Sequence, residues 1–166
     1  MNTIRIATTK DIPLIQQLAE QVFPETYKNI ITPEQCRYMM DMMYSEESLR
    51  RQMTEEGHVY QLLSVDGEAA GYVSVQPIES DLYELQKIYV LPRFQGRHLG
   101  RTLFDAAVAL VKKLHPEPCR IFLLLPPLVG NDGLRLAVPL SETLTTVCLL
   151  AAQGMRRHPA GKSLAE

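Results

Sequence analysis

The chain contains no tryptophan, and no tyrosine or phenylalanine follows Phe122. An aromatic core therefore has to be built before that residue. Only three cysteines are present, Cys36, Cys119 and Cys148, and none stands in Cys-x-x-Cys or Cys/His spacing. An odd number without such spacing argues against a disulfide framework and against a metal site, and it fits a reducing cytoplasm. No apolar run is long enough to span a bilayer, and the start MNTIRIATTKD has neither the basic region nor the apolar stretch of a signal peptide, so neither membrane insertion nor export is expected. Charge of one sign is also missing. A formal net charge of −2 supplies no basic excess for nucleic acid or an anionic membrane surface. What the chain does have is 46% hydrophobic residues in a length of 166, enough for one domain with a real core.

Periodicity divides that core into elements. Thr3 to Ala7 alternates Ile4 and Ile6 with polar neighbours, the pattern of a short half-buried strand. Thr8 is placed to cap a helix with Asp11 in its first turn, with Ile12, Ile15, Leu18, Ala19 and Val22 on one face and Pro24 as its expected stop. Thr32-Pro33-Glu34-Gln35 reads as a capping box with proline in the first helical position, opening a helix that carries Tyr38 and the Met39 to Met43 cluster. Ser45 caps a further short helix with Leu49 and Met53 inward. From His58 the period becomes that of strands, and Asp66-Gly67 between two such runs predicts a hairpin.

The most informative stretch runs from Tyr83 to Leu114, YELQKIYVLPRFQGRHLGRTLFDAAVALVKKL. It reads as a strand, a loop with Gly96 and Gly100, and an amphipathic helix whose expected buried face is Leu99, Leu103, Ala106, Leu110, Val111 and Leu114. The first turn of a helix leaves N–H groups unpaired and carries partial positive charge, so such a loop is suited to phosphate oxygens. A plain strand-to-helix turn is the alternative. Arg120 to Leu125 is the next apolar strand. Strand, helices, hairpin with a third strand, helix and strand make an α/β (α+β) mixed sheet with helices on both sides.

These residues resemble the GCN5-related N-acetyltransferase (GNAT) superfamily, which transfers acetyl from acetyl-CoA to an amine. The likeness covers about Ile4 to Phe122 and is strongest from Glu84 to Leu103. The family loop Gln/Arg-x-x-Gly-x-Gly/Ala stands here as Gln95-Gly96-Arg97-His98-Leu99-Gly100, with His98 in place of the first family glycine. The resemblance implies acetyl-CoA as co-substrate, held by the Gln95 to Gly100 loop with Arg101 and Thr102, and by the strand Ile88, Tyr89 and Val90, with Ile88 and Val90 acting through their backbone. It implies Glu84 as general base, because that position carries the base in histone-acetylating members; a solvated strand residue is the alternative reading. Within the superfamily the chain is similar to bacterial spermidine/spermine acetyltransferases in the segment VFPETYKNIITPEQCRYMMDMMYSEESLRRQM. This implies a small alkylamine acceptor and leaves a homodimer open. Glu25, Tyr27 and Tyr38 are candidates to bind a cationic amine by charge or an aromatic face, with a plain surface helix as the alternative. No metal is implied.

After Phe122 the likeness stops. The family's Phe-Tyr pair, whose tyrosine commonly protonates the departing thiolate, has no counterpart. Residues 1–125 are therefore read as the acetyltransferase core and 126–166 as an atypical C-terminal segment, with Ser141 capping one helix over about 142–153 before a polar tail. A reading-frame change is the expected origin of that segment. A non-catalytic acyl-CoA-binding domain is the second reading of the whole chain.

Overall fold

The computed structural model describes residues 1–123. In chain order these form β1 (Asn2–Ile6), α1 (Ile12–Tyr27), α2 (Pro33–Tyr44), α3 (Glu46–Thr54), β2 (Val59–Val65), β3 (Glu68–Glu79), β4 (Leu82–Val90), α4 (Leu99–Leu114) and β5 (Arg120–Leu123). The five strands lie in sequence order in one sheet, antiparallel except for the β4–β5 pair, which is parallel because α4 crosses between them. This is the expected mixed α/β sheet flanked by helices. The helix expected over 142–153 and the tail after it lie outside the described residues.

Local chemistry explains most boundaries. Thr8 and Asp11 form a reciprocal capping box, and the Asp11 carboxylate also takes two hydrogen bonds from Arg5, of 2.9 and 2.6 Å. Thr32 and Gln35 form a second box at the start of α2, and the Ser45 hydroxyl caps α3 by accepting from the Ser48 amide. Asp66 and Gly67 both take positive φ, 50° and 87°, the geometry of a type I′ turn whose twist matches that of the paired strands.

Three expectations are corrected. Pro24 does not end α1, which continues to Tyr27. Proline forfeits one hydrogen bond near the helix end, and packing compensates, because Phe23 and Tyr27 stack with ring centroids 4.4 Å apart while Phe23 also meets Tyr44. Ile6 is exposed rather than half-buried, since β1 is an edge strand and only Ile4 packs against the core. On α4 the buried face is Leu99, Leu103, Ala107, Leu110 and Val111; Ala106 is half-buried because the face is centred toward Ala107 and Val111, and Leu114, though on that face by angle, is exposed as the last residue of the helix.

The two faces of the sheet differ in chemistry. Tyr60, Tyr72 and Tyr89 share one face, beneath α1 to α3, and Tyr72 donates its hydroxyl proton to the Tyr44 hydroxyl of α2 at 2.8 Å. Val73, Val75, Leu85 and Ile88 point the other way, the face covered by α4. Strand β4 carries a bulge. Its pairing with β3 passes from Lys87 opposite Ser74 directly to Leu85 opposite Val75, so Gln86 is the extra residue.

Candidate functional site

The bulge re-aims the side chains of β4. Glu84, Gln86 and Lys87 all come to the tyrosine-bearing face instead of alternating across the sheet. Glu84 lies between two strands, opposite Gln76 of β3 and Phe122 of β5, and is half-buried. Its Oε2 accepts a hydrogen bond from Gln86 Nε2 at 3.0 Å, and the same nitrogen donates to Gln76 Oε1 at 2.6 Å. Gln76 in turn donates to the Glu56 carbonyl at 3.2 Å. The Glu84 carboxylate is thus held by one amide and keeps lone pairs for another donor.

Beyond the bulge, strand direction decides which backbone groups are available. The Leu91 amide donates to Ala70 O of β3 at 2.9 Å, so by alternation Ile88 and Val90 direct their N–H and C=O groups away from β3. On that side β5 pairs with Leu82 to Leu85 and, among the described residues, no strand continues alongside Ile88 or Val90. The Val90 carbonyl is taken instead by Gln95 Nε2 at 2.9 Å. Gln95 therefore braces the loop against the strand end. The side chains of Ile88, Tyr89 and Val90 are buried, so what this strand offers a ligand is backbone.

Strand β4 leads through Pro92–Phe94 to the start of α4. Gly96 takes φ 74° and His98 φ 59°, the left-handed region, where His is tolerated more readily than branched residues. His98 makes no side-chain cap, no acidic residue stands in the first turn, and the first turn's N–H groups have no partner among the described residues before Thr102 bonds back to His98 O. A Cβ placed on Gly96 or Gly100 would meet nothing within 4 Å. The helix end is therefore a positive, open cradle that an anion fits. Leu99 is buried and can contribute only its amide, and the Thr102 hydroxyl is turned back to His98 O at 3.3 Å. Arg97 lies over the Phe94 ring, Arg101 pairs with Asp105, and Arg93 is held by Glu68 and Gln21. Of the three, Arg97 has no carboxylate partner among the described residues.

The three residues expected on the acceptor side are not brought together. Tyr27 is half-buried and shares a hydrogen bond with the Tyr89 hydroxyl at 3.3 Å; burial raises both phenol pKa values, so both stay neutral. Glu25 is ion-paired with Lys28 in the last turn of α1 and its neighbourhood, and Tyr38 stands 69% exposed on α2.

A buried polar cluster beside Glu84 was not anticipated. Lys87 is only 6% exposed and donates from Nζ to Gln52 Oε1 at 2.8 Å; that oxygen also accepts the Tyr60 hydroxyl at 2.6 Å. His58 Nδ1 is hydrogen-bonded to Ser74 Oγ at 3.0 Å. Burial, reinforced by Lys87, lowers the His58 pKa to about 4 against an opposing pull from Glu56, so the imidazole is neutral at pH 7. One sequence signal was available: Lys87 is two positions before Tyr89 in a strand, and so on the same face as a buried ring.

The profile of the "Acetyltransferase (GNAT) family" matches residues 16–125. An uncharacterised N-acetyltransferase from the pepI 3′ region of Lactobacillus delbrueckii subsp. lactis is 28% identical over 105 residues, 59% of this chain and 61% of that protein. The alignment thus spans less than two thirds of the relative's length. The spermidine N(1)-acetyltransferase of Thermoplasma acidophilum is 23% identical over 123 residues, 72% of this chain and 76% of its own. Among solved structures, the PaiA N-acetyltransferase of Thermoplasma acidophilum in complex with coenzyme A superposes with a TM-score of 0.66 at 20% identity, covering 84% of this chain and 87% of that one. Among the described residues no helix is long and apolar enough to cross a membrane.

Proposed function

Since the chain belongs to the acetyltransferase (GNAT) family, we propose that it transfers an acetyl group from acetyl-CoA to a primary amine, in the cytoplasm, and that the acceptor is a small alkylamine of polyamine type. The observation that carries this reading is the open start of α4 directly after β4, the strand that holds Glu84. The pyrophosphate of the co-substrate is an anion of the kind such a helix end accepts, bound by the amides of Gly96 to Arg101 without help from a buried cation. The outward backbone groups of Ile88 and the Val90 amide pair with the amide-bearing arm. Bound there, acetyl-CoA supplies an activated thioester.

The remaining chemistry falls to the protein. An alkylamine arrives mostly as its ammonium at pH 7, and it attacks only after losing a proton. Glu84 accepts that proton, directly or through one water, because its carboxylate is half-buried yet engaged by only one amide donor. Tyr27, Tyr38 and Glu25 lie on the acceptor side, with the Tyr27–Tyr89 hydroxyl pair nearest the catalytic strand. The likeness to a relative named as a spermidine acetyltransferase supports the polyamine class. The acetyltransferase core on this reading is residues 1–125.

A second reading rests on one observation, that no tyrosine follows Phe122. On that reading the chain binds the acyl-CoA but transfers poorly. A thermal-shift titration with acetyl-CoA followed by a turnover assay with spermidine separates the two. Ligand at a hundred times its dissociation constant should add ~2.7 kcal/mol of stability. Gly100→Glu, which puts a carboxylate into the open cradle, should abolish the shift and leave the fold intact. No shift in the wild type would refute both readings, and a shift without turnover would select the second.

A further inference from the structure

Lys87 is a buried ammonium with no carboxylate within ion-pair distance among the described residues. Every element packed around it presents a polar or aromatic group. Gln52 of α3 accepts its hydrogen bond, the rings of Tyr60 (β2) and Tyr44 (α2) lie 5.4 and 5.8 Å from Nζ, and Ser74 of β3 is its cross-strand partner, with neutral His58 behind it. Burial lowers the Lys87 pKa to about 8, while the more distant Glu56 and Glu84 pull it upward, so the charged form prevails at pH 7. A methionine of similar length would fill the same space without desolvating a charge. A buried cation without a carboxylate partner among the described residues, on the strand that bears the proposed base, is a candidate functional position.

Its hydrogen bond to Gln52 shows what the position does. Gln52 Oε1 receives both Lys87 and Tyr60, and Gln52 Nε2 donates to Met43 O at 2.9 Å and to Ser48 Oγ at 3.0 Å, while Ser48 Oγ donates to Met42 O at 2.7 Å. The corner between α2 and α3 is therefore pinned through a single amide to the cation on β4. We propose that Lys87 is a positioning residue for the amine acceptor: its ammonium, through Gln52, fixes the α2–α3 corner against the strand that carries Glu84 and so sets where the acceptor is held. This deepens the acetyltransferase reading and rests on it for the identity of the acceptor.

The test compares Lys87→Met and Lys87→Arg with the wild type. In the methionine variant the denaturation midpoint at pH 7 should equal or exceed that of the wild type, and acetyl-CoA affinity should be unchanged. The KM for spermidine should rise roughly tenfold or more, with a smaller change in kcat. Amide hydrogen exchange across Met43 to Gln52 should quicken in the same variant, without ligand. Arginine keeps a donor and should recover part of both effects. A methionine variant with wild-type KM and wild-type exchange would overturn the proposal. So would parallel losses of stability, cofactor affinity and turnover, which would mark Lys87 as a packing residue. If the wild type acetylates no amine, the proposed function falls, and the exchange comparison still decides whether Lys87 holds the corner.

Discussion

Glu84 offers the sharpest substitution, because its environment predicts what should change and what should not. Glu84→Gln keeps the size and the hydrogen bond geometry toward Gln86 but removes the proposed proton acceptor, so kcat should fall roughly a hundredfold while acetyl-CoA affinity stays intact. Stopped-flow or coupled assays of thiol release, beside calorimetric binding, measure the two separately; unchanged turnover would remove Glu84 from the chemistry. His58 makes a pH-dependent prediction. Its pKa is about 4 in the folded protein against 6.5 for an ordinary histidine. Between those values the unfolded chain takes up a proton that the native state refuses, so stability falls as pH drops from 6.5 to 4, by about 3 kcal/mol at most. His58→Gln, which can still hydrogen-bond Ser74, should flatten the stability profile in that window, as read by urea unfolding at a series of pH values. Below it a further loss follows from Asp11, whose carboxyl Arg5 and the Thr8 amide hold well below the usual range.

At the level of elements, β3 leaves no room for a side chain at Gly71, where it passes β4. A Cβ on Gly71 would sit 2.3 Å from the Tyr89 carbonyl oxygen. Gly71→Ala should therefore push the strands apart and cost about 1–3 kcal/mol by overpacking, checked by the shift in the urea midpoint. Acetyl-CoA affinity should weaken with it, since Tyr89 and Val90 share that backbone. The Thr8–Asp11 box just before α1, the Thr32–Gln35 box of α2 and the Asp66-Gly67 turn were readable because each depends on residues a few positions apart. Where α1 ends was not, because the contact that carries it past Pro24 is between Tyr27, Phe23 and a distant Tyr44. The bulge had left a trace, Leu85 and Ile88 both buried on one face three residues apart, but strict alternation hides it. Lys87 escaped notice for a related reason: burying an ammonium depends on Gln52, Tyr44 and Tyr60, from three other elements.

For the whole molecule, the order of elements and the mixed sheet could be read in the sequence, since hairpin, strand–loop–helix and helix signals occur in separate blocks. How Glu25, Tyr27 and Tyr38 sit relative to one another could not, because Tyr38 stands on a different helix from the other two and their mutual placement depends on how α1 and α2 pack. The strand order also bears on how the chain reaches this state. β2, β3 and β4 are successive hairpin partners joined by short turns, whereas β1 must be brought to β2 across all three helices, and β5 reaches β4 only after α4. Closing those longer loops costs entropy before any contact repays it, so the central meander should assemble first and the two outer strands dock late. Substituting Gly67 in the hairpin turn should then mainly slow refolding, while truncating Ile4 on β1 should mainly hasten unfolding, a division that chevron plots of the two variants would reveal. A chain built this way forms the strand bearing its proposed base within the earliest structure, and the segments closing around that strand are among the last to arrive.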